Sequence, residues 1–287
     1  MTANGGTLEA SARYVDLHMH STASDGALSP SDVVEAAARA HLESVALTDH
    51  DTLAGVRSAA ETGDRLGVRV VPGVELSAYD RGEVHLLGLH VSRGDVLERH
   101  LVAFRDARRA RAVRIVELLN ALGVPLTMEQ VLEQAGGGAI GRPHVARALV
   151  SLGRARDHRD AFDRWLGAGK PAYVEKLRLE MAEAIAILHE AGGIAVLAHP
   201  GPAATRARLQ ELRDIGLDGV EVLHPGHSAE DIARIGTLAG HLGLLPSGGS
   251  DWHGATQGPR VIGCMKVPVA WLERQDAFVR ERSERVA

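Results

Sequence analysis

Short apolar runs recur along this chain, and most of them end in a histidine or a carboxylate. Residues 14–20 carry His18 and His20, 44–50 end in Asp49 and His50, and 68–78 contain Glu75. Further on, 194–200 reach His199, 219–225 reach His224, and 244–253 run into Asp251 and His253. In a strand, alternate side chains share a face, so His18 and His20 point the same way. Two imidazoles side by side are costly in an apolar core and natural at a metal ion. Helical patterns separate the runs. Ser29-Pro30-Ser31-Asp32 opens one, residues 52 to about 66 form a second closed by Gly67, and 205–215 and 229–242 read likewise. Alternation of strand and helix predicts a parallel sheet, and about seven such units suggest a barrel. Reacting groups in a barrel collect at the C-terminal mouth of the strands, where these residues fall.

Two stretches modify that pattern. Residues 83–91 read as another strand, with His85 near its start rather than its end. Residues 95–180 are Arg-rich and mostly helical, with breaks at Gly123-Val124-Pro125 and Gly136-Gly137-Gly138. The expected organisation is an α/β barrel made of 14–94 and 181–287, with 95–180 as a helical insertion that helps form the substrate site.

Bulk properties exclude several classes. Apolar residues make up 45% of the 287, enough for a sizeable core. A formal net charge of −5 gives no global basic face for duplex DNA. Aromatics at 3% argue against a base-stacking platform. The lone Cys264 excludes an intramolecular disulfide framework and a thiolate zinc cluster. No uninterrupted apolar run is long enough to span a membrane, and residues 1–13 lack the core of a signal peptide, so a cytoplasmic protein is expected.

Imidazole and carboxylate ligands without thiolate suit Zn²⁺, Mn²⁺ or Fe²⁺. Several carboxylates among many histidines suggest more than one ion. Such a cluster polarises a phosphoryl oxygen and lowers the pKa of bound water from 15.7 to roughly 7. The chemistry therefore points to metal-assisted hydrolysis, with phosphate esters as the leading substrates. Each residue also has an ordinary alternative. His18 and His20 could be a hydrogen-bonded core pair, Asp25 a turn residue before Gly26, and Asp51 a helix cap beside His50. Glu75 could sit in a buried ion pair, and His224 and His227 on a solvated loop. Arg108, Arg109 and Arg111 read as a solvated helix face or as a wall that grips an RNA backbone. The joint registry of the histidines and acids at strand ends favours the metal.

The segments HMHSTASDG, LTDHD, PGVE, HLLGL, AHP and GSDWH, in that order between residues 14 and 253, resemble the PHP (polymerase and histidinol phosphatase) superfamily. The resemblance implies a distorted (β/α)₇ barrel with a trinuclear metal site that hydrolyses phosphoesters. It implies two or three divalent ions, Mn²⁺ foremost, with Zn²⁺ or Fe²⁺ as the other options. Carried over residue by residue, His18, His20, Glu75 and Asp251 would hold the first ion and its bound hydroxide. Glu75 would bridge to a second ion completed by His85 and His199. Asp25, His50 and His253 would take a third, and Asp49 would orient a ligand from behind. The HSxxSDG form and the insertion look like the branch of small stand-alone nucleotide phosphoesterases. GRPHVARALV (141–150) and GKPAYV (169–174) match that branch, which implies Arg142, His144 and Lys170 as substrate contacts, with His224 and His227 at the mouth. The expected activity is removal of the 3′-phosphate from a nucleoside 3′,5′-bisphosphate. The alternative is a 5′-to-3′ exoribonuclease on short 5′-phosphorylated RNA. A histidinol-phosphatase-like enzyme and a non-catalytic metal-binding barrel follow behind. Expected partners are a small phosphorylated nucleotide or the 5′ end of a short RNA, with neither duplex DNA nor membrane.

Overall fold

The structure, a computed structural model, describes residues 13–136, 140–175 and 179–286. Residues 1–12 of the segment read above for a leader therefore lie outside it, as do Gly137 and Gly138 of the second helical break. Strand β1 (Tyr14–Met19) leads to helix α1 (Pro30–Arg39), β2 (Ser44–Leu47), α2 (Val56–Leu66), β3 (Arg69–Tyr79) and β4 (Glu83–Leu89). Four helices follow: α3 (Gly94–Ala121), α4 (Met128–Ala135), α5 (Arg142–Ser151) and α6 (His158–Ala161), the last running into a π turn at Phe162–Leu166. Alternation resumes with α7 (Met181–Glu190), β5 (Ile194–Leu197), α8 (Arg206–Asp214), β6 (Gly219–Leu223), α9 (Ala229–Leu242) and β7 (Leu245–Gly248). Strand β8 (Val267–Pro268) and helix α10 (Val269–Val286) end the chain.

Local chemistry sets these boundaries. Ser29 accepts from Asp32 N–H with Pro30 at the first helical position, so α1 starts there. Ser228 and Asp231 cap α9 reciprocally. Gly67, at φ 70°, ends α2 as expected. The start of α2 differs from the reading above: residues 51–55 are turn and irregular backbone, and the helix begins at Val56 with Gly55 at its N-cap. Asp51 sits at φ 50° with its carboxylate paired to Arg108.

The sheet order is β7-β6-β5-β4-β3-β2-β1-β8. Pairs β1/β2, β2/β3, β5/β6 and β6/β7 are parallel, as alternation predicts. Strand β4 is not; it runs antiparallel to both β3 and β5. The reason is loop length. Three residues, 80–82, join β3 to β4, whereas a parallel connection needs a crossover of a dozen or more. Reversal places the start of β4 at the barrel mouth, which explains why His85 lies at the opposite end of its strand from the other site residues. Strand β8 pairs antiparallel with the first residues of β1. Past β7, Asp251 N–H donates to His18 O at 2.9 Å and His20 N–H donates to Trp252 O at 3.0 Å. The chain after β7 thus lies along the far half of β1 and closes the distorted barrel on its mouth side.

Closure demands a close approach. A Cβ on Gly249 would stand 2.5 Å from both the backbone N and the Cβ of His18. Asp16 reinforces the seam: its buried carboxylate accepts from Ser250 N–H and Gly263 N–H, each at 2.9 Å. At the other end, α10 is fixed across the barrel by a bidentate pair of Arg69 and Asp276, both bonds 2.6 Å. The inserted helices carry an apolar cluster of their own. Leu97 and Leu101 of α3 pack into the barrel, whereas Ile115 and Leu119 pack with Val131, Leu149 and Leu166. Asn120 secures the first break by donating to Val116 O and Leu126 O. Among the described residues no helix is long and apolar enough to cross a membrane.

Replacing Gly249 by Ala forces β1 and the 249–252 segment apart. The expected loss is about 1–3 kcal/mol, read as a lowered midpoint in thermal unfolding. Gly82→Ala, where an added Cβ meets nothing within 4 Å, should leave the midpoint unchanged.

Candidate metal centre

Five histidines converge on one buried carboxylate. Glu75 is 1% exposed. Its Oε1 lies 2.8 Å from His85 Nδ1 and 3.3 Å from His199 Nε2. Its Oε2 lies 3.1 Å from His20 Nε2, 3.2 Å from His50 Nδ1 and 3.4 Å from His18 Nε2. Asp251 adds an oxygen 3.4 Å from His18 Nε2 and 3.5 Å from His20 Nε2. Asp25 stands 3.3 Å from His253 Nε2 and 3.8 Å from both His20 and His50. All nine side chains named above as ligands are therefore gathered at the mouth. Three groups have ligand atoms close enough for a common ion: His20, Asp25, His50 and His253; His18, Glu75 and His199; and His18, His20 and Asp251. His20 thus faces two of the groups, whereas the resemblance gives it to one ion alone.

One of these contacts, His199 Nε2 with Glu75 Oε1, is a hydrogen bond, but most are not. His18 Nε2, both ring nitrogens of His20, His50 Nδ1 and Glu75 Oε2 are buried and make none. Buried polar groups nearly always find partners, so this many orphans in one place call for a shared one. Separations near 3.3 Å are those of neighbouring ligands about 2.1 Å from a tetrahedral ion. The donor set and its geometry fit divalent cations.

Hydrogen bonds behind the cage choose which nitrogen faces inward. His18 Nδ1–H donates to Glu221 Oε1 at 3.1 Å, which turns Nε2 and its lone pair toward Glu75. The other oxygen of Glu221 accepts His199 N–H at 2.7 Å. His253 Nδ1–H donates to Asp251 O at 2.9 Å, leaving Nε2 for Asp25. Asp49 accepts from Ser21 N–H and Oγ–H and from Ser24 Oγ–H at 2.6–2.7 Å, which fixes the loop that carries Asp25. Glu221 is absent from the sequence reading above. Its signal was the one that exposed Glu75, a carboxylate inside an apolar strand, GVEVL. Three residues at this mouth hold left-handed backbone without being glycine: Asp51 at φ 50°, His199 at 30° and Asp251 at 49°. Such conformations cost about 1–3 kcal/mol each and cluster where function over-determines the backbone.

The charges are strongly coupled. Burial pushes His20 down, but Asp251 and Glu75 more than reverse this and lift it to about 10. Burial holds His50 down at about 3. Burial also opposes the charge on Glu75, and the fields of His85, His50 and His18 overcome it, keeping that carboxyl well below its usual range.

The residues named for substrate divide. Arg142 and His144 line a cavity of about 180 Å³ beside the cage, whose near wall includes Asp25, His50 and His85. His144 is 1% exposed, and its Nδ1 accepts Gly141 N–H at 2.9 Å, so one ring nitrogen serves the start of α5. Lys170 is exposed in a turn and is absent from the walls of that cavity. His224 Nδ1 accepts Gly226 N–H, and its Nε2 faces Asp251 at 3.4 Å. Both ring nitrogens of His227 engage backbone, Gly201 N–H and Val222 O. Two groups of arginines add to this set. Arg105, Arg108 and Arg111 share one face of α3 turned toward Asp51 and the cavity, while Arg109 and Arg114 are exposed. Arg260 donates to Asp251 at 2.5 Å.

Two outcomes follow for metal binding. A cation must displace the proton of His20, so loading near pH 7 should release protons and affinity should rise with pH until about 10, where the metal-free His20 is already neutral. Titration calorimetry in buffers of different ionisation enthalpy measures this. In the metal-free protein the His20 ion pairs contribute stability at neutral pH and lose it as pH climbs through about 10. Glu221→Gln removes the anionic acceptor behind His18 and should weaken metal binding about 10–100-fold, measured by the same titration.

Comparison with known proteins accords with this geometry. The family described as PHP domain matches residues 16–123. The 5′-3′ exoribonuclease Rnm of Salmonella typhimurium is 37% identical, over 83% of this chain and 84% of its own. The 3′,5′-nucleoside bisphosphate phosphatase of Chromobacterium violaceum is 35% identical, over 87% of this chain and 90% of its own. A solved structure from Bifidobacterium adolescentis, named for a metal-dependent phosphoesterase, superposes with a TM-score of 0.82 at 34% identity and covers 91% of this chain and 95% of that one. Cage, barrel and relatives agree: the chain belongs to the PHP family and is a metal-dependent phosphoric ester hydrolase.

Proposed function

We propose that the chain is a phosphatase that removes the 3′-phosphate from nucleoside 3′,5′-bisphosphates. The observation that carries this reading is Glu75, ringed by five imidazoles and adjoining a cavity whose walls include arginines. His18, His20, Glu75 and Asp251 would hold a first cation, Glu75, His85 and His199 a second, and Asp25, His50 and His253 a third. Mn²⁺ is the proposed metal. Bound cations supply an activated water and neutralise charge on the phosphoryl group. The protein's own part is to hold the substrate. Arg142 offers a planar donor fork to a phosphate, with its guanidinium carbon 5.6 Å from the centre of the Phe162 ring and 5.8 Å from that of Tyr173. His144 Nε2–H is the second donor. On this reading the barrel, 14–94 and 181–287, supplies the cations and the insertion, 95–180, grips the substrate.

The arginine row of α3 favours one other reading, a 5′-to-3′ exoribonuclease on short 5′-phosphorylated RNA, since exposed Arg109 and Arg114 continue the basic surface beyond the cavity. The decisive experiment compares adenosine 3′,5′-bisphosphate with a 5′-phosphorylated oligoribonucleotide, using Mn²⁺-loaded protein. Inorganic phosphate from the first supports the phosphatase, and stepwise release of mononucleotides from the second supports the nuclease. Exhaustive chelation should lower either rate by about 10³-fold or more. Activity that survives it would overturn the metal assignment.

A further inference from the structure

A second cavity adjoins the cage on the other side of the start of β4. Its volume is about 300 Å³, against about 180 Å³ for the cavity beside the insertion. Glu83 and His85 line both, so the first residues of β4 divide one from the other. His85 and His199 stand in the wall of the second cavity, and the same two imidazoles flank Glu75 Oε1 at 2.8 Å and 3.3 Å. A phosphoryl group held there opens onto both cavities, one toward the insertion and one here. The two differ in character. Leu197, Ala198, Pro200, Ala203 and Leu212 make the second largely apolar. Arg208 also lines it, but its guanidinium is paired with Asp80 and lies 3.7 Å from Glu211. With that cation balanced and Glu83 on the divide, the cavity is unsuited to a phosphate and suited to an uncharged, partly apolar group. Its outer wall is fixed from behind. Arg234 donates to Gly201 O at 2.9 Å and to Ala204 O, and His227 Nε2 accepts Gly201 N–H at 3.1 Å.

We infer that this second cavity receives the nucleoside that a phosphodiester carries on the far side of its scissile phosphorus, so that the site cleaves a dinucleotide as well as a bisphosphate. This rests on the phosphatase reading above and extends its substrate class from monoester to diester. The same bond breaks in both substrates. The oxygen of water adds to phosphorus, the P–O3′ bond opens, and the departing 3′ oxygen ends with a proton that the water gave up. From a bisphosphate the phosphorus leaves as inorganic phosphate. From a dinucleotide it stays on the 5′ oxygen of the second nucleoside, which needs room beyond the cage. The apolar cavity gives a sugar and base that room, and a monoester leaves it empty.

The test narrows the cavity at Ala203, an exposed residue of its wall, and compares adenosine 3′,5′-bisphosphate with the 5′-phosphorylated dinucleotide of two adenosines. In Mn²⁺-loaded Ala203→Trp the ratio of kcat/KM, dinucleotide over bisphosphate, should fall about 10- to 100-fold. Ala203→Leu, with less added bulk, should fall between. An unchanged ratio in both variants, or equal losses on both substrates in both, would overturn the inference. So would a wild type that cleaves the bisphosphate and leaves the dinucleotide intact, a result under which the phosphatase reading stands. A second arm needs no turnover. Calorimetry on metal-stripped protein should show the dinucleotide binding more tightly than the bisphosphate in the wild type, a preference that Ala203→Trp abolishes. If the loaded wild type leaves the bisphosphate intact, the phosphatase reading fails and the binding arm decides the cavity: no preference in the wild type, or one that Ala203→Trp retains, overturns it.

Discussion

A buried carboxylate is unfavourable unless charges or donors surround it, and Glu75 is surrounded on every side by imidazoles drawn from β1, β4 and the ends of β2 and β5. The rest of the mouth is built to make that arrangement possible. Glu221 fixes the ring of His18, Asp49 fixes the loop of Asp25, and Asp16 fixes the turn that carries Asp251. Each of these acids lies behind the cage and acts through a side chain or backbone amide in front of it. The cage is therefore pre-organised by the protein, and cations entering it meet lone pairs already aimed inward.

Much of this was readable from residue order. Strand ends could be read because short apolar runs stop at polar residues, and all nine expected ligands follow such runs or lie within them. His85 was legible as a residue but not as a position, since its place depends on the reversal of β4, which the three-residue connection to β3 could have revealed. Glu221 carries the same signal as Glu75, a carboxylate inside an apolar strand, but no family motif surrounds it. The arginines of α3 show a different limit. Helical spacing puts Arg105, Arg108 and Arg111 on one face, but nothing local says whether that face meets solvent or a cavity; that is decided by where α3 packs. Strand β8 is two residues long, below what any periodicity can detect.

The site tolerates backbone that an ordinary turn avoids. Asp51, His199 and Asp251 all adopt left-handed φ, and each follows a parallel strand, β2, β5 or β7. At the rim, main-chain bonds such as Asp51 N–H to Glu75 O and Asp251 N–H to His18 O hold this strain in place. A rigid barrel below and strained corners above are complementary: the first supplies the stability against which the second is maintained.

The reversal of β4 has one more effect. Because that strand ends at the bottom of the barrel, α3 begins there and climbs back past the mouth, 28 residues and about 42 Å of continuous helix. Its first turns are bolted to the barrel, its middle presents arginines level with the cage, and its last turns carry the second apolar cluster. The helix is a measuring rod. Anchored at Leu97 and Leu101, it sets the height and bearing of Arg108 and Arg111 by count alone, so that adding or removing one residue between them would swing those side chains by about 100°. The pocket can therefore be retuned by exchanging side chains along the rod, but not by altering its length.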